Sequence, residues 1–318
     1  MMNLSNALHK GFNLLVNNYK YSDNANAIAE EVQQDLKLST MDDAFESLRN
    51  QPERINTGIA GIDEMFAEYV NGEYKTGFRR KDIIILAGMS GIGKTSLAFS
   101  IFTNFYRRNI PVVFFSLDMR REKTWDCFRK CLIGTHKTDA EYAEELILRK
   151  KLPSIVTHEG MITMQQLDNF LTANPSHVIF VDYIDYLQPT DKSAQDMQNF
   201  KNLFIELKQL VEKHNCAIFL LSQSTEDKGY RAGRPTLSNL YGGKAVRSAV
   251  DHVISVYRNS KHNTALPSEY KNVTEIHGLK LRSDSTNSVA YVKWVNGNLV
   301  HMYDDEVIKY VSATTNKI

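Results

Sequence analysis

Eight residues of the chain carry a spacing that does chemistry by backbone alone. Gly88-Met89-Ser90-Gly91-Ile92-Gly93-Lys94-Thr95 fits G-x-x-x-x-G-K-[ST], the phosphate-binding loop. Its glycines let successive N–H groups converge on one phosphate, and a following helix adds its dipole. Lys94 would reach the β- and γ-phosphates, the Thr95 hydroxyl would hold Mg²⁺, and Ser96 closes the candidate nucleotide-binding set. A chance match in a glycine turn would lack the right flanks. Here Lys81 to Ala87 is a short apolar run with β-branched residues, as in a buried parallel strand, and Thr95 to Phe102 opens a helical pattern.

Three further polar residues sit where apolar runs end. Val178-Ile179-Phe180-Val181 leads straight into Asp182, a carboxylate able to hold Mg²⁺ through water beside the Thr95 hydroxyl. Asp185, three residues on, competes for that role, but the four apolar residues favour Asp182. Asp118 follows Phe114-Phe115-Ser116-Leu117; at the end of a strand beside the phosphate-loop strand it could orient attacking water as general base. Gln223, after Leu220-Leu221-Ser222, offers an amide to sense a γ-phosphate, though a lone Gln is more often a surface hydrogen-bonder.

Positioning these residues takes strands alternating with helices. Strands are expected at 81–87, 112–117, 154–157, 178–182 and 217–221, with helical patterns over 95–102, 122–151, from Thr163, and over 199–213. Such alternation implies right-handed crossovers and a mostly parallel sheet covered on both faces. The character then changes. Residues 253–257 and 275–282 read as strands, and Val289 to Val295, Asn296-Gly297 and Leu299 to Tyr303 read as a hairpin with a two-residue turn. Antiparallel strands therefore extend the parallel core at one edge. The class is α/β.

Composition narrows the setting. With 318 residues, 42% hydrophobic and 24% charged, the chain is ordinary for a globular protein and has room for one large domain and a small appendage. No run of eighteen apolar residues indicates a transmembrane helix, and the N-terminus lacks the pattern of a secretory signal. Lys plus Arg number 38 against 37 Asp plus Glu, which excludes a globally basic nucleic-acid binder and leaves room for a locally basic loop. Three cysteines make no disulfide framework; Cys127 and Cys131, four apart on a helix, read as small buried hydrophobes, and a reducing cytoplasm fits. Residues 1–52 carry short amphipathic helical patterns too small for a core of their own, an extension that packs on the main domain or on a neighbouring subunit. Pro52 marks the boundary; the main domain is expected over 53–305, with a tail over 306–318.

In order along the chain, Asn56-Thr57-Gly58, the phosphate loop, Ser116 to Met119, Asp182 to Gln188, Leu221-Ser222-Gln223, Arg234 to Leu240, Asp251 to Arg258 and Lys280-Leu281-Arg282 resemble the C-terminal motor domain of DnaB-family replicative helicases, a RecA-like fold. The resemblance runs from about Ile55 to Tyr303. It implies a ring-shaped homo-hexamer with ATP and Mg²⁺ bound between subunits, moving on single-stranded DNA, with a primase or a helicase loader as a further partner. It implies that Lys280 and Arg282 reach the neighbour's γ-phosphate; without it they are alternate residues of an edge strand, sharing one face. It also implies that residues 228–247 are the DNA loop, with Lys228, Arg231, Arg234, Lys244 and Arg247 set among glycines to track a phosphate backbone.

The chain departs from that family at three points. Asp118 stands where Glu is usual, Tyr241 where Arg is usual, and Arg247 where Glu is usual. Only about fifty residues precede the motor, a short form that would suit a bacteriophage or other mobile element working in its host's cytoplasm. Two other functions fit the residues. One is a recombination or packaging ATPase that binds DNA without unwinding it; the other is a loader or regulatory module that binds ATP and barely hydrolyses it.

Overall fold

A computed structural model describes residues 53–315, apart from 71, 136–137, 139–140, 143–144, 146–152, 192–195, 225–233, 241–245, 247, 264, 284 and 286–287. The N-terminal extension and most of the basic loop, including Lys228, Arg231, Lys244 and Arg247, lie outside the described residues.

Among the described residues, nine strands form one sheet: β1 (Ile83–Gly88), β2 (Val112–Ser116), β3 (Ser154–Thr157), β4 (Val178–Asp182), β5 (Ala217–Gln223), β6 (His252–Tyr257), β7 (Val273–Lys280), β8 (Val289–Val295) and β9 (Asn298–His301). Their order across the sheet is β9-β8-β7-β6-β1-β5-β4-β2-β3. From β6 to β3 every pairing is parallel, and from β6 to β9 every pairing is antiparallel. The fold is therefore a mostly parallel α/β sheet with antiparallel strands at its C-terminal edge. One detail differs from the sequence reading. β2 is not beside β1: β5 and β4 lie between them. Every residue of β1, β2 and β4 is buried, so these runs announce central strands but carry no mark of their order.

Both faces are covered. α1 (Lys94–Arg107) and α2 (Arg121–Ile133) pack on one; α3 (Met164–Ala173) and α4 (Asp196–His214) pack on the other. Because strand residues alternate between faces, Phe114, Phe180 and Phe219 fall in register across β2, β4 and β5 and stack with centroids 5.7 and 4.8 Å apart. Phe99 of α1 stacks on Phe114 at 4.2 Å and fixes that helix to the ladder. α3 starts on a reciprocal cap: Gln166 N–H donates to Thr163 Oγ1, and Thr163 N–H to Gln166 Oε1. The helical pattern from 122 breaks earlier than its apolar spacing suggests. α2 stops at Gly134, whose φ of 92° lies outside the helical region.

The hairpin turns at Asn296 and Gly297, with φ of 45° and 88°, as the primed two-residue turn demands. Its tip rests on the end of α2: Asn298 Nδ2 donates to Cys131 O at 2.6 Å, Cys131 Sγ to Gly297 O, and Thr135 N–H to Asn296 Oδ1. The last described element, α5 (Asp304–Thr315), is held by Tyr310. Its hydroxyl donates 2.8 Å to Glu275, a carboxylate with no solvent exposure.

Candidate nucleotide site

The phosphate loop joins β1 to α1. Gly93 has φ of 114°, which a side chain would strain, and it caps α1 without a side-chain oxygen, leaving the first-turn N–H groups to the loop mouth. Gly88, at φ 154°, is confined as well: a Cβ there would meet Ile92 Cγ2 at 2.9 Å and Val256 O at 3.1 Å. The loop can curl here only with glycine.

Lys94 opens α1 yet is only 8% exposed, and its Nζ donates to the carbonyls of Gly88 and Met89 at 2.8 and 2.9 Å. Burial lowers its pKa, opposed by the charges of Asp182 and Asp118. Thr95 Oγ1 donates to Asp182 Oδ2 at 2.8 Å, a contact between residues 87 apart in sequence. Burial drives the Asp182 carboxyl up to about 6 and the Asp118 charge adds to this, while the Thr95 hydrogen bond and Lys94 oppose it. Asp185, the rival carboxylate, lies in the short turn Ile184–Tyr186, where burial raises its pKa.

Asp118 follows β2 and is exposed. Ser116 aligns with Asp182 on β4, and Tyr186 Oη donates to Asp118 Oδ1 at 3.3 Å. Gln223 ends β5, in register with Gly88, and the next residue, Ser224, donates its N–H to Gly88 O. One end of the sheet thus gathers Lys94, Thr95, Asp182, Asp118 and Gln223.

Lys280 and Arg282 are elsewhere. β7 is an interior strand, because the β8–β9 hairpin covers its outer side; it ends at Lys280, and Arg282 lies beyond it. The edge-strand reading is corrected accordingly. Lys280 aligns with Val253, near the start of β6, which aligns in turn with Ile85. The pair therefore stands toward the N-terminal ends of the parallel strands, away from the phosphate loop. Lys280 Nζ donates to Val250 O, and Arg282 pairs with Asp251, both at 2.5 Å. Arg234, the described member of the basic set, pairs through Nε with buried Glu275 at 3.3 Å and is about half exposed.

A cavity of about 510 Å³ adjoins the phosphate loop, lined by Ile92, Gly93 and Ser96 on one side and by Arg258, Thr274 and Trp294 on another. Sequence reading did not single out Trp294. The available signal was its rarity, one of two tryptophans, on a strand leading into a tight turn.

Comparison with known proteins bears on the fold and the family. The family described as DnaB-like helicase C terminal domain matches residues 55–297. A probable replicative DNA helicase of Trieres chinensis is 25% identical over 253 residues, covering 73% of this chain and 55% of that protein. The replicative DNA helicase DnaB of Geobacillus stearothermophilus is 26% identical over 308 residues, covering 86% and 63%. The chain thus spans under two thirds of the length of these relatives. Among solved structures, one described as an ATPase domain has a TM-score of 0.66 at 18% identity, covering 86% of this chain and 99% of that one. A DnaB-like replicative helicase, described with its interactions with primase, has a TM-score of 0.67 at 19% identity, covering 88% and 73%. These likenesses give the fold as RecA-like, and the family match gives the lineage: the chain belongs to the DnaB-like helicase C-terminal domain family.

Proposed function

We propose that the chain is the ATP-hydrolysing motor of a replicative DNA helicase, a ring hexamer translocating on single-stranded DNA. The observation that carries this reading is the 2.8 Å contact between Thr95 Oγ1 and Asp182 Oδ2, beside buried Lys94. A hydroxyl and a carboxylate on one spot make an all-oxygen donor set that fits Mg²⁺. Bound there with ATP, Mg²⁺ would neutralise charge on the phosphates. Lys94 offsets the β- and γ-phosphates, the N–H groups of residues 88–96 cradle them, Asp118 accepts the proton of the attacking water, and Gln223 senses the γ-phosphate. Arg258 and Trp294 offer the cavity a planar cation and an aromatic face, suited to a nucleobase.

The trans role of Lys280 and Arg282 is supported by their position. From Ile83, level with Asp251, to Gly88 is roughly 17 Å of strand. A side chain at that end cannot serve its own phosphate loop, whereas a neighbour's loop brought against it can be served. The proposed partners are single-stranded DNA on the basic loop and further copies of the chain. A primase is proposed too, on the likeness to a helicase described with one, as is a cytoplasmic setting.

The reading is tested by mixing variants. Lys94→Ala should abolish ATP turnover while the chain still folds. Arg282→Ala should lower turnover on the order of 10³-fold or more, the worth of such a finger, with nucleotide binding kept. Mixed oligomers should regain activity where an intact loop meets an intact finger. Mixed oligomers with no recovery would sink the shared site. Forked-duplex unwinding should accompany hydrolysis; hydrolysis on DNA without strand separation would favour the recombination or packaging ATPase instead.

A further inference from the structure

Asp251 ties the root of β1 to the Lys280–Arg282 segment. Its backbone N–H donates to Ile83 O at 3.0 Å and its Oδ2 accepts from Ile83 N–H at 2.9 Å, so the residue is bound twice to the root of β1. Its other oxygen, Oδ1, pairs with Arg282 Nη1 at 2.5 Å. The carboxylate is 17% exposed in its side chain and the guanidinium 58%. Beside it, Arg282 N–H donates to His252 Nδ1 at 3.3 Å, His252 Nε2 lies 3.3 Å from Asp82, and Lys280 Nζ donates to Val250 O. Residues 250–252 therefore grip the Lys280–Arg282 segment at three points.

An ion pair this exposed adds little to stability. Its effect is directional. A guanidinium has donors on three nitrogens in a fixed plane. A carboxylate anchored by the β-sheet on one oxygen and holding Nη1 with the other sets that plane and leaves the remaining edge of the fork for an incoming anion. Without the grip, Arg282 follows β7 on a segment that has left the ladder, and its long side chain samples many rotamers. We infer that Asp251 is a positioning residue for the Arg282 finger, acting on hydrolysis in the adjacent subunit rather than in its own. The inference rests on the trans reading of Arg282.

Three measurements on the full chain test it. Asp251→Asn keeps an acceptor for Ile83 N–H but loses the charged grip. Steady-state ATPase should fall roughly 10- to 100-fold in kcat, the scale of a misplaced catalytic group, with KM for ATP unchanged. Asp251→Glu keeps the charge at greater length and should retain more activity than Asn; a role confined to the fold would rank the isosteric Asn higher. Third, Asp251→Asn protein is mixed with Lys94→Ala protein, whose subunits bring an intact Asp251 and finger to the loops of the first. Recovery of activity at those interfaces is the expected result. If Arg282→Ala recovers on mixing with Lys94→Ala but Asp251→Asn does not, Asp251 acts on its own loop through Ile83 and the inference fails while the trans reading stands. If neither recovers although mixed oligomers form, the trans reading itself has failed. Full activity of Asp251→Asn alone, or a rise in KM without loss of kcat, also overturns the proposal.

Discussion

Asp63 shows how much a single carboxylate can cost. It is 6% exposed and accepts from Thr57 N–H and Oγ1 at 2.5 and 2.6 Å and from Gly58 N–H at 3.2 Å. Burial still outweighs these bonds and the charge of Arg108, and pushes its pKa up to about 6. A raised pKa means that the native state holds the proton more tightly than the unfolded chain. The contribution to stability is whole below the unfolded pKa and is lost as pH rises through about 6. Asp63→Asn removes that titration. The stability of Asp63→Asn relative to the parent should therefore improve by on the order of 2–3 kcal/mol between about pH 4 and about pH 7. Denaturant unfolding of both proteins across that range checks it; a flat difference would show that Asp63 does not titrate as a buried group. No local pattern of residues marks this burden, because Thr57 and Gly58 meet Asp63 only once the turn before the short helix has formed. Lys94 and Thr95 were legible for the opposite reason: their chemistry is contiguous, and flanking apolar runs report its context.

At the scale of elements, apolar runs revealed nearly every strand and helix that carries the candidate site, since a strand buried on both faces must be apolar throughout. Strand order was hidden for the same cause, and so was the cavity, whose walls come from α1, β7 and β8, far apart in sequence. The hairpin is what closes that wall. Gly297 sits at φ 88°, and a Cβ on it would collide with Lys130 O in the last turn of α2. Gly297→Ala would both strain the turn and push the hairpin off α2. A loss of about 2–4 kcal/mol is expected, the range for strain combined with overpacking, visible as a lower thermal midpoint. Trp294 lies three residues before Gly297, so ATP-analogue affinity should weaken as well. A variant with the parent's midpoint would mean that the hairpin and α2 are not rigidly docked.

Across the whole molecule, positive charge is a matter of place rather than amount. The net charge is +1, so the protein as a whole exerts almost no long-range pull on a polyanion. The single-stranded DNA binding proposed above would then have to come from a few local contacts, and the stretch 228–247 concentrates five cations among glycines. Arg234 spends one nitrogen on Glu275; Lys244 and Arg247 stand at the far end of the same stretch. On a single strand each neutralised phosphate adds about 0.7 to the slope of log affinity against log salt. Replacing Lys244 and Arg247 together with Ala should therefore weaken binding and make that slope shallower by about 1.4, two contacts' worth. Lys309→Ala, an exposed cation on α5, changes the net charge without touching the loop and serves as the control. If long-range charge governed binding, the control would also flatten the slope. If the loop governs it, only the paired variant will, and an unchanged slope for the pair would remove Lys244 and Arg247 from the DNA contacts altogether.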